Sequence, residues 1–373
     1  MEKKAVFLNS WDARRSKIMT KPKVRKIAIL RANALGDFIF VLPAISALKK
    51  AFPESEITYL GLAWHNKFIP GRIGSVDRVI VVPPTAGVGE KEDYPNNQDQ
   101  QNNFFAKMKR EQFDIAIQLH GGGRYSNPFI RNLGAKITVG LKTPDAIPLD
   151  ISIPYIYYQN EIFRYMEVIS VLGIKAYEFK AEIKVTEKDR REAIKQASSD
   201  KKFVILHPGA TDIKRRWLPL YFAKVGDELS DMGYKVMVTG VEKERKIAGE
   251  VISEMRNGAL NLCGKLSMGG LSGLISLSSL MVANDTGPLH LAYVLGTPTV
   301  GIYWCGNMIN DTPPLREKWR AIPSWTTTCP LCGEDFAKNF PYRNNYGRCK
   351  HETSFVSSVT PEEVIFHVKD LLN

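Results

Sequence analysis

The sequence NDTGPLHLAYVLGTPTVGIYW, residues 284–304, decides the fold because it changes from a strand end to a helix and back to a strand. Thr286 and Gly287 predict a tight turn, and Pro288 fits the first position of the helix that follows. The helix is expected to end near Gly296, where TPTVGIYW begins the next strand. A strand, a turn, a helix and a strand in this order predict a parallel α/β sheet.

The same alternation runs outward through the chain in two series. The first series begins with the strand KIAILRA (26–32), and the second begins with KFVILHPGA (202–210). A chain of 373 residues exceeds what one hydrophobic core usually organises. We therefore expect an α/β protein with two Rossmann-like, doubly wound parallel-sheet domains that face a cleft. Their expected bounds are 27–190 and 191–355, and a closing helix is expected within 356–373.

Two stretches depart from this alternation. Residues 85–103 are polar and lack apolar periodicity, so they are expected to form a long loop or lid. Residues 1–26 hold nine Lys or Arg and two acidic residues, which accounts for +7 of the net charge of +12. This basic arm could contact an anionic membrane surface, or it could remain a solvated, partly disordered tail. Nucleic-acid binding is not expected, because no nucleic-acid module is recognisable.

The location of the protein is expected to be cytoplasmic. The chain contains no apolar run of membrane-spanning length, and its first residues lack the features of a secretory signal. Cysteines in a cytoplasmic protein favour free thiols or a metal site over a disulfide framework.

Three of the five cysteines and one histidine cluster in the sequence within an excursion over 329–351. Cys329 and Cys332 form a Cys-x-x-Cys pair, and Cys349 and His351 follow. Three thiolates and an imidazole could make a closed tetrahedral zinc site or an iron site. Free thiols and, less favoured, a disulfide remain as alternatives.

The turn after the strand at 280–284 is a candidate phosphate site. Backbone N–H groups at a helix N-terminus attract anions, and they follow Asp285, Thr286 and Gly287 here. His290, one turn into the helix, could donate to the same anion. The alternative is structural: Asp285 or Thr286 would cap the helix, and His290 would be a half-buried histidine.

The string HPGATDIKRRWLP (207–219) predicts a second group of ligand-binding residues at a strand end. Thr211 offers a hydroxyl, and Lys214, Arg215 and Arg216 supply three cations. Positive charge at this place would stabilise a departing diphosphate. The alternative is a basic surface loop.

Asp37 follows a glycine turn at the start of the first helix, in LRANALGDFIFVLP (30–43). An Asp at this place is most often a helix N-cap or a first-turn acid. It could instead be a general base that faces a ligand, and its position alone does not decide between the two.

Five motifs in one order resemble glycosyltransferase family nine, the ADP-heptose:lipopolysaccharide heptosyltransferases, over residues 26–373. The resemblance implies a GT-B fold, in which the first domain takes the acceptor and the second takes the nucleotide sugar. It also implies inverting transfer without a metal, and no Asp-x-Asp metal motif occurs in the sequence. The motifs are RANALGDFIFVLPAISALK, FDIAIQLHGGGR, HPGATDIKRRWLPLYFAKV, TGVEKERKIA and NDTGPLHLAYVLGTPTVGIY.

The resemblance assigns roles to matching residues of this chain. Asp37 would deprotonate the acceptor hydroxyl, and Glu244 would bind the ribose or base of the nucleotide. Arg215 stands where the family usually has a lysine, which leaves the exact phosphate partner open because the two cations differ in geometry. The residues expected to hold the donor sugar and its phosphates are Thr211, Lys214, Arg215, Asp285, Thr286, Gly287 and His290.

A phosphorylated acceptor would need further cations on the first domain. Lys67, Arg124 and Arg131 lie after or near its predicted strand ends. The alternative for all three is an ordinary surface cation. Related heptosyltransferases often carry a similar Cys-rich segment, in some cases with iron, so the resemblance favours a structural zinc or iron that takes no part in transfer.

We therefore expect a heptosyltransferase that moves heptose from ADP-heptose onto a lipopolysaccharide core or related glycolipid. It could be peripheral at the cytoplasmic face of the inner membrane. One alternative is a transferase that uses a UDP- or GDP-sugar on a protein or O-antigen acceptor. A sugar-nucleotide epimerase of the same fold and a non-catalytic binding module are the others.

Overall fold

Two units form the part of the chain that the structure describes. The first unit runs to Ile156 and includes Glu161–Ala181, and the second contains Tyr157–Asn160 and the chain from Glu182 onward. Apart from 24–26, the basic arm lies outside the described residues. The computed structural model describes residues 24–175, 178–197, 202–339 and 349–373.

The first unit is built on a six-stranded parallel sheet with helices between its strands. Its helices are α1 (Leu35–Ala51), α2 (Ala63–Phe68), α3 (Gln98–Glu111), α4 (Ser126–Asn132) and α5 (Glu161–Ser170). Its strands are β1 (Lys26–Leu30), β2 (Glu56–Gly61), β3 (Arg78–Val81), the short pair β4 (Thr85–Ala86) and β5 (Gly89–Glu90), β6 (Ile115–Gln118), β7 (Ile137–Lys142) and β8 (Ile151–Pro154).

The sheet reverses its direction of growth at β1. Its strand order is β3-β2-β1-β6-β7-β8, so β1 pairs with β2 on one side and β6 on the other. Ile29 lies opposite Tyr59 and Ile117 in this register. In doubly wound sheets, ligands bind outside the carboxyl ends of the strands at such a reversal.

The second unit repeats this plan. Its strands are β9 (Phe203–His207), β10 (Lys235–Val238), β11 (Leu260–Asn261), β12 (Leu280–Asn284), β13 (Thr299–Trp304) and β14 (Trp319–Ser324). Its helices are α6 (Glu187–Ala197), α7 (Pro219–Asp231), α8 (Arg245–Glu254), α9 (Met268–Leu277), α10 (Gly287–Leu295), α11 (Cys305–Asp311) and α12 (Pro361–Leu372).

The second sheet has the order β11-β10-β9-β12-β13-β14. In both sheets the strand that comes first in the chain is third in the order, with the next two strands on one side and the last three on the other. Leu206 in the central strand lies between Val238 and Val282 of its two neighbours. Every residue of β9 and β12 is buried, as expected for parallel strands covered on both faces. The prediction of an α/β fold with two Rossmann-like sheets is confirmed.

The closing helix α12 begins after Thr360. Pro361 occupies its first turn, and the Thr360 side chain accepts a hydrogen bond from Glu363 N at 3.3 Å. Val364 and Val368 are fully buried in the core of the second unit. The segment before the helix is joined to that core through Trp217, whose Nε1 donates to the Val359 carbonyl at 2.9 Å.

The expectation of a loop over 85–103 is wrong for its last six residues, 98–103. Helix α3 starts at Gln98, and the Asn97 side chain caps it by accepting a hydrogen bond from Gln100 N at 3.0 Å. The first turns of the helix are exposed, and Met108 near its end is buried. An apolar periodicity is therefore missing from the part of the helix that lies within 85–103, and the Asn97 cap is the local signal that was overlooked.

The described ranges contain α-helices of 6 to 17 residues. None of them combines the length and the apolar character needed to cross a membrane.

Candidate active site

In the first unit, Asp37 lies just beyond the carboxyl end of β1. Helix α1 follows Ala34 and holds Asp37 in its first turn. The Asp37 side chain is 37 % exposed, and its Oδ1 accepts a hydrogen bond from Arg31 Nη2 at 2.5 Å. The carboxylate is therefore a first-turn acid that is fixed on one side and open on the other.

The buried Arg31, which was not predicted from the sequence, donates this hydrogen bond to Asp37. Its Nη1 donates to the Leu119 carbonyl at 2.8 Å, and its guanidinium lies 5.0 Å from the centre of the Tyr165 ring. Arg31 Nη2 is also 3.6 Å from Glu161 Oε2. An arginine directly after the first strand of such a sheet is the sequence signal that could have found it.

His120, which follows β6, joins three segments near Asp37. Ala32 N donates to His120 Nδ1 at 3.2 Å, so the other nitrogen carries the proton and donates to the Gly87 carbonyl at 3.1 Å. Burial and the nearby Arg31 lower the pKa of His120 to about 4. The neutral ring therefore acts as a structural link at neutral pH.

In the second unit, Asp285 lies at the reversal of the sheet and is 1 % exposed. Its Oδ2 accepts from Asn307 Nδ2 at 2.8 Å and lies 3.3 Å from Arg215 Nη1. Its Oδ1 accepts from His290 Nε2 at 3.2 Å. Burial opposes ionisation, but the hydrogen bond from His290, the charge of Arg215 and the Asn307 amide outweigh it and lower the pKa of Asp285 to about 2.

Helix α10 begins directly beyond this carboxylate. Thr286 precedes the first helical residue with an extended backbone, and Pro288 follows in the first turn. Thr286 and Gly287 are both partly exposed, whereas His290 is buried. The structure thus brings Asp285, Thr286, Gly287 and His290 together at one helix N-terminus, where backbone N–H groups favour an anion.

The three consecutive cations after β9 point in different directions. Arg215 reaches Asp285, whereas Arg216 Nε donates to the Ala210 carbonyl at 2.8 Å. Lys214 Nζ lies 5.7 Å from the centre of the Phe336 ring. Arg215 is therefore the cation of this string that joins the Asp285 cluster.

The turn after β9 is held against β12 by hydrogen bonds. Asn284 Oδ1 accepts from Trp217 N at 3.0 Å, and its Nδ2 donates to the Pro208 carbonyl at 2.8 Å. Thr211 is exposed in the same turn. The two sequence segments predicted to bind the sugar donor thus follow β9 and β12, the two neighbouring strands at which the sheet order reverses.

Glu244 lies beyond the end of the neighbouring strand β10 and contacts the same turn. Its Oε2 accepts from Val241 N at 2.8 Å. A Cβ placed on Gly209 would fall 2.3 Å from the Glu244 carboxyl carbon. This close approach explains why a glycine occupies position 209.

The three basic residues predicted to bind the phosphates of the acceptor substrate are all exposed. Lys67 lies on α2, and Arg131 lies in the last turn of α4. Arg124 lies in the loop after β6, with its Nε 3.7 Å from Asp145 Oδ2. The structure places each of them in the first unit.

The four predicted metal ligands come together in the second unit. The ligand atoms of Cys329, Cys332, Cys349 and His351 all lie within 4.8 Å of one another. His351 Nδ1 is 3.5 Å from Cys349 Sγ and 3.7 Å from Cys329 Sγ. Burial opposes ionisation of Cys329, but hydrogen bonds from backbone N–H groups and the neighbouring thiols lower its pKa to about 6.

Solved structures of other proteins share this fold. A glycosyl transferase of family 9 from Veillonella parvula has a TM-score of 0.76 at 22% identity, over 95% of this chain and 98% of that one. The ADP-heptose heptosyltransferase II of Escherichia coli has a TM-score of 0.71 at 19% identity, over 93% and 98%. The two Rossmann-like sheets therefore form the GT-B fold.

The sequence comparisons identify the family. Residues 102–338 match glycosyltransferase family 9 (heptosyltransferase), and the chain belongs to that family. The lipopolysaccharide core heptosyltransferase OpsX of Haemophilus influenzae is 22% identical over 298 residues, which are 78% of this chain and 82% of OpsX. The prediction of a glycosyltransferase is confirmed.

Proposed function

We propose that the protein transfers heptose from ADP-heptose onto a sugar hydroxyl of a lipopolysaccharide core or related phosphorylated glycolipid. The family and the printed activity of relatives such as OpsX support this choice. The observation that carries it is the cluster of Arg215, Asp285 and His290 at the N-terminus of α10, where a nucleotide sugar would place its diphosphate and sugar.

In this proposal the second unit binds the donor. N–H groups at the start of α10 and the Thr286 hydroxyl would bind phosphate oxygens. Arg215, with Lys214 and Thr211 of the same turn, would offset the charge that develops on the departing diphosphate. Asp285 and His290 are buried, so they would hold the donor sugar through the turn that they fix in place, and Gly287 would allow the close approach of the ligand.

Glu244 is proposed to bind the nucleoside part of the donor. It lies after the strand next to β9, beside the Gly209 turn. A carboxylate at this place can accept hydrogen bonds from ribose hydroxyls, as acidic residues do in other Rossmann-like sites.

Asp37 is proposed to be the general base. Its carboxylate would take the proton of the acceptor hydroxyl while the hydroxyl oxygen forms a bond to the anomeric carbon. The bond between that carbon and the diphosphate oxygen breaks, and its electron pair leaves with ADP. In-line attack inverts the anomeric configuration, and the proposed reaction uses no metal.

The acceptor phosphates are proposed to bind to Lys67, Arg124 and Arg131. Their exposure supports this role, since a large anionic glycolipid must reach them from solvent. Action at the cytoplasmic face of the inner membrane is part of the proposal, because a lipid-linked acceptor would be presented there.

We also propose that Cys329, Cys332, Cys349 and His351 bind a structural zinc or iron ion. Three thiols and an imidazole nitrogen within 4.8 Å match a tetrahedral donor set. The site would hold the ends of the 329–351 excursion together, and no step of the transfer is assigned to it.

Substitution of Asp37 by alanine tests the catalytic assignment. We expect kcat to fall by about 10²–10⁴-fold, with ADP affinity unchanged in calorimetry because the donor residues lie in the other unit. Asp99→Ala is a matched control, since Asp99 is also an acidic residue in the first turn of a helix in the same unit and is exposed. Full activity of Asp37→Ala would remove Asp37 from the mechanism.

Product analysis tests the substrates. ADP-, UDP- and GDP-sugars are each incubated with the enzyme and a lipopolysaccharide acceptor that lacks heptose. The mass of the glycolipid product is then measured by mass spectrometry. We expect a mass increase of one heptose with ADP-heptose. Transfer from UDP- or GDP-sugars alone, or modification of a protein in place of the glycolipid, would overturn the proposed donor or acceptor.

A further inference from the structure

We propose that Arg31 is a positioning residue that holds the Asp37 carboxylate in the orientation needed for proton transfer. This inference rests on the proposed role of Asp37 as general base. Arg31 is not expected to touch the substrate, because its side chain is 3 % exposed whereas that of Asp37 is 37 % exposed.

The guanidinium connects the base to both strands at the reversal of the first sheet. Arg31 itself follows β1, and its Nη1 donates to the carbonyl of Leu119, which follows β6. Its Nη2 donates to Asp37 Oδ1 at 2.5 Å. A planar guanidinium that is fixed at one nitrogen fixes the direction of the others, so the orientation of Asp37 is tied to the sheet.

The other oxygen of the Asp37 carboxylate is therefore the one proposed to accept the proton. Oδ1 is occupied by Arg31, and Asp37 is more than one third exposed. Oδ2 is the oxygen that would face the acceptor hydroxyl and receive its proton. Without Arg31 the carboxylate could rotate about its last torsion angle, which is broad for Asp, and the fraction of productive orientations would fall.

The buried charge of Arg31 is balanced by a second carboxylate. A buried guanidinium is unfavourable unless it is paired, and Asp37 becomes neutral when it takes the proton. Glu161 Oε2 lies 3.6 Å from Arg31 Nη2 and accepts a hydrogen bond from the Tyr165 hydroxyl. Arg31 therefore keeps an ionic partner throughout the reaction and can stay in place.

The experiment compares Arg31→Met with Arg164→Met in the full-length enzyme. Both arginines are buried and both contact Glu161, but Arg31 is the one that binds Asp37. We expect both variants to lower the melting temperature. Arg31→Met should also lower kcat by about 10²-fold with the KM for ADP-heptose within threefold, whereas Arg164→Met should keep kcat within threefold.

Two further variants separate positioning from a purely structural role. Arg31→Lys keeps the charge but cannot bind Asp37 and the Leu119 carbonyl with the same geometry, so its kcat should lie at least tenfold above Arg31→Met and below the parent. In an Asp37→Asn background, Arg31→Met should cause no further loss of kcat, because it acts through the carboxylate that is already removed.

Several results would overturn the proposal. A folded Arg31→Met enzyme with kcat within threefold of the parent would do so, as would an equal loss in the parent and in Asp37→Asn. If Arg31→Met fails to fold, Arg31→Lys decides in the same way: a loss confined to the parent background supports positioning, and any other pattern opposes it. Full activity of Asp37→Ala would instead refute the proposed base itself.

Discussion

Replacing Asp285 by asparagine removes a buried negative charge without changing the size of the side chain. In the parent protein, Asp285 binds Arg215, Asn307 and His290. These partners more than offset its burial and lower its pKa from 3.8 to about 2. Asparagine cannot accept at both side-chain positions, so at least one of these contacts is lost.

The size of the effect follows from the pKa. A shift of one unit corresponds to about 1.4 kcal/mol, so the ionised Asp285 contributes about 2 kcal/mol to the free energy of unfolding at pH 7. Because the pKa is lower in the folded state, this contribution is complete above about pH 4 and is lost as the pH falls through about 2. About half of it is lost by pH 3.

Urea unfolding of the full chain, followed by tryptophan fluorescence, measures this contribution. Trp217, Trp304 and Trp319 are buried in the second unit and report on its unfolding. We expect Asp285→Asn to lose about 2 kcal/mol at pH 7 and about half as much at pH 3. Asp212→Asn is the control, because Asp212 belongs to the adjacent turn and is only half-buried.

Two outcomes would refute the reasoning about Asp285. The first is a variant whose stability at pH 7 is within about 0.5 kcal/mol of the parent, the usual range of surface substitutions. The second is a difference between the two proteins that stays constant from pH 7 to pH 3, because a protonation effect must shrink over that range. Either result would mean that the ionised carboxylate does not stabilise the second unit.

Gly209→Ala should destabilise the protein by about 1–3 kcal/mol and weaken ADP binding in calorimetry, because its Cβ would fall 2.3 Å from the Glu244 carboxyl carbon. Gly249→Ala is the control: a Cβ there meets nothing within 4 Å, and the helix should gain about 0.5–1 kcal/mol. Unchanged ADP affinity of Gly209→Ala would speak against this turn as part of the donor site. Elemental analysis should find a bound metal in the parent protein and in the control Cys305→Ser. The metal should be lost in Cys349→Ser or after treatment with a chelator. Equal metal content in the two variants would contradict the site.

The alternation of apolar runs and helices was sufficient to predict both sheets. Short apolar runs such as Val204–Leu206 are typical of buried strands, and glycine or proline turns separate them from the helices. The polar first turns of α3 had no such pattern, because Asn97 and a few late apolar residues stabilise that helix. Its start could therefore not be located from periodicity.

The candidate site was predictable only where its residues are close in the sequence. Asp285 and His290 lie five residues apart, so their turn and helix could be recognised directly. The partners of these residues come from other strands: Arg215 meets Asp285 because β9 lies beside β12, and Leu119 meets Arg31 because β6 lies beside β1. Such pairs depend on strand order, which local patterns do not contain.

The shared strand order of the two sheets bears on how such proteins diverge. At each reversal, the chain leaves the two central strands toward opposite faces, and the main chain alone therefore opens a crevice there. The side chains that line it can change without removing the crevice, provided that the strands keep their order. A protein built on this plan can thus keep the place where a ligand binds while the side chains that select the ligand change.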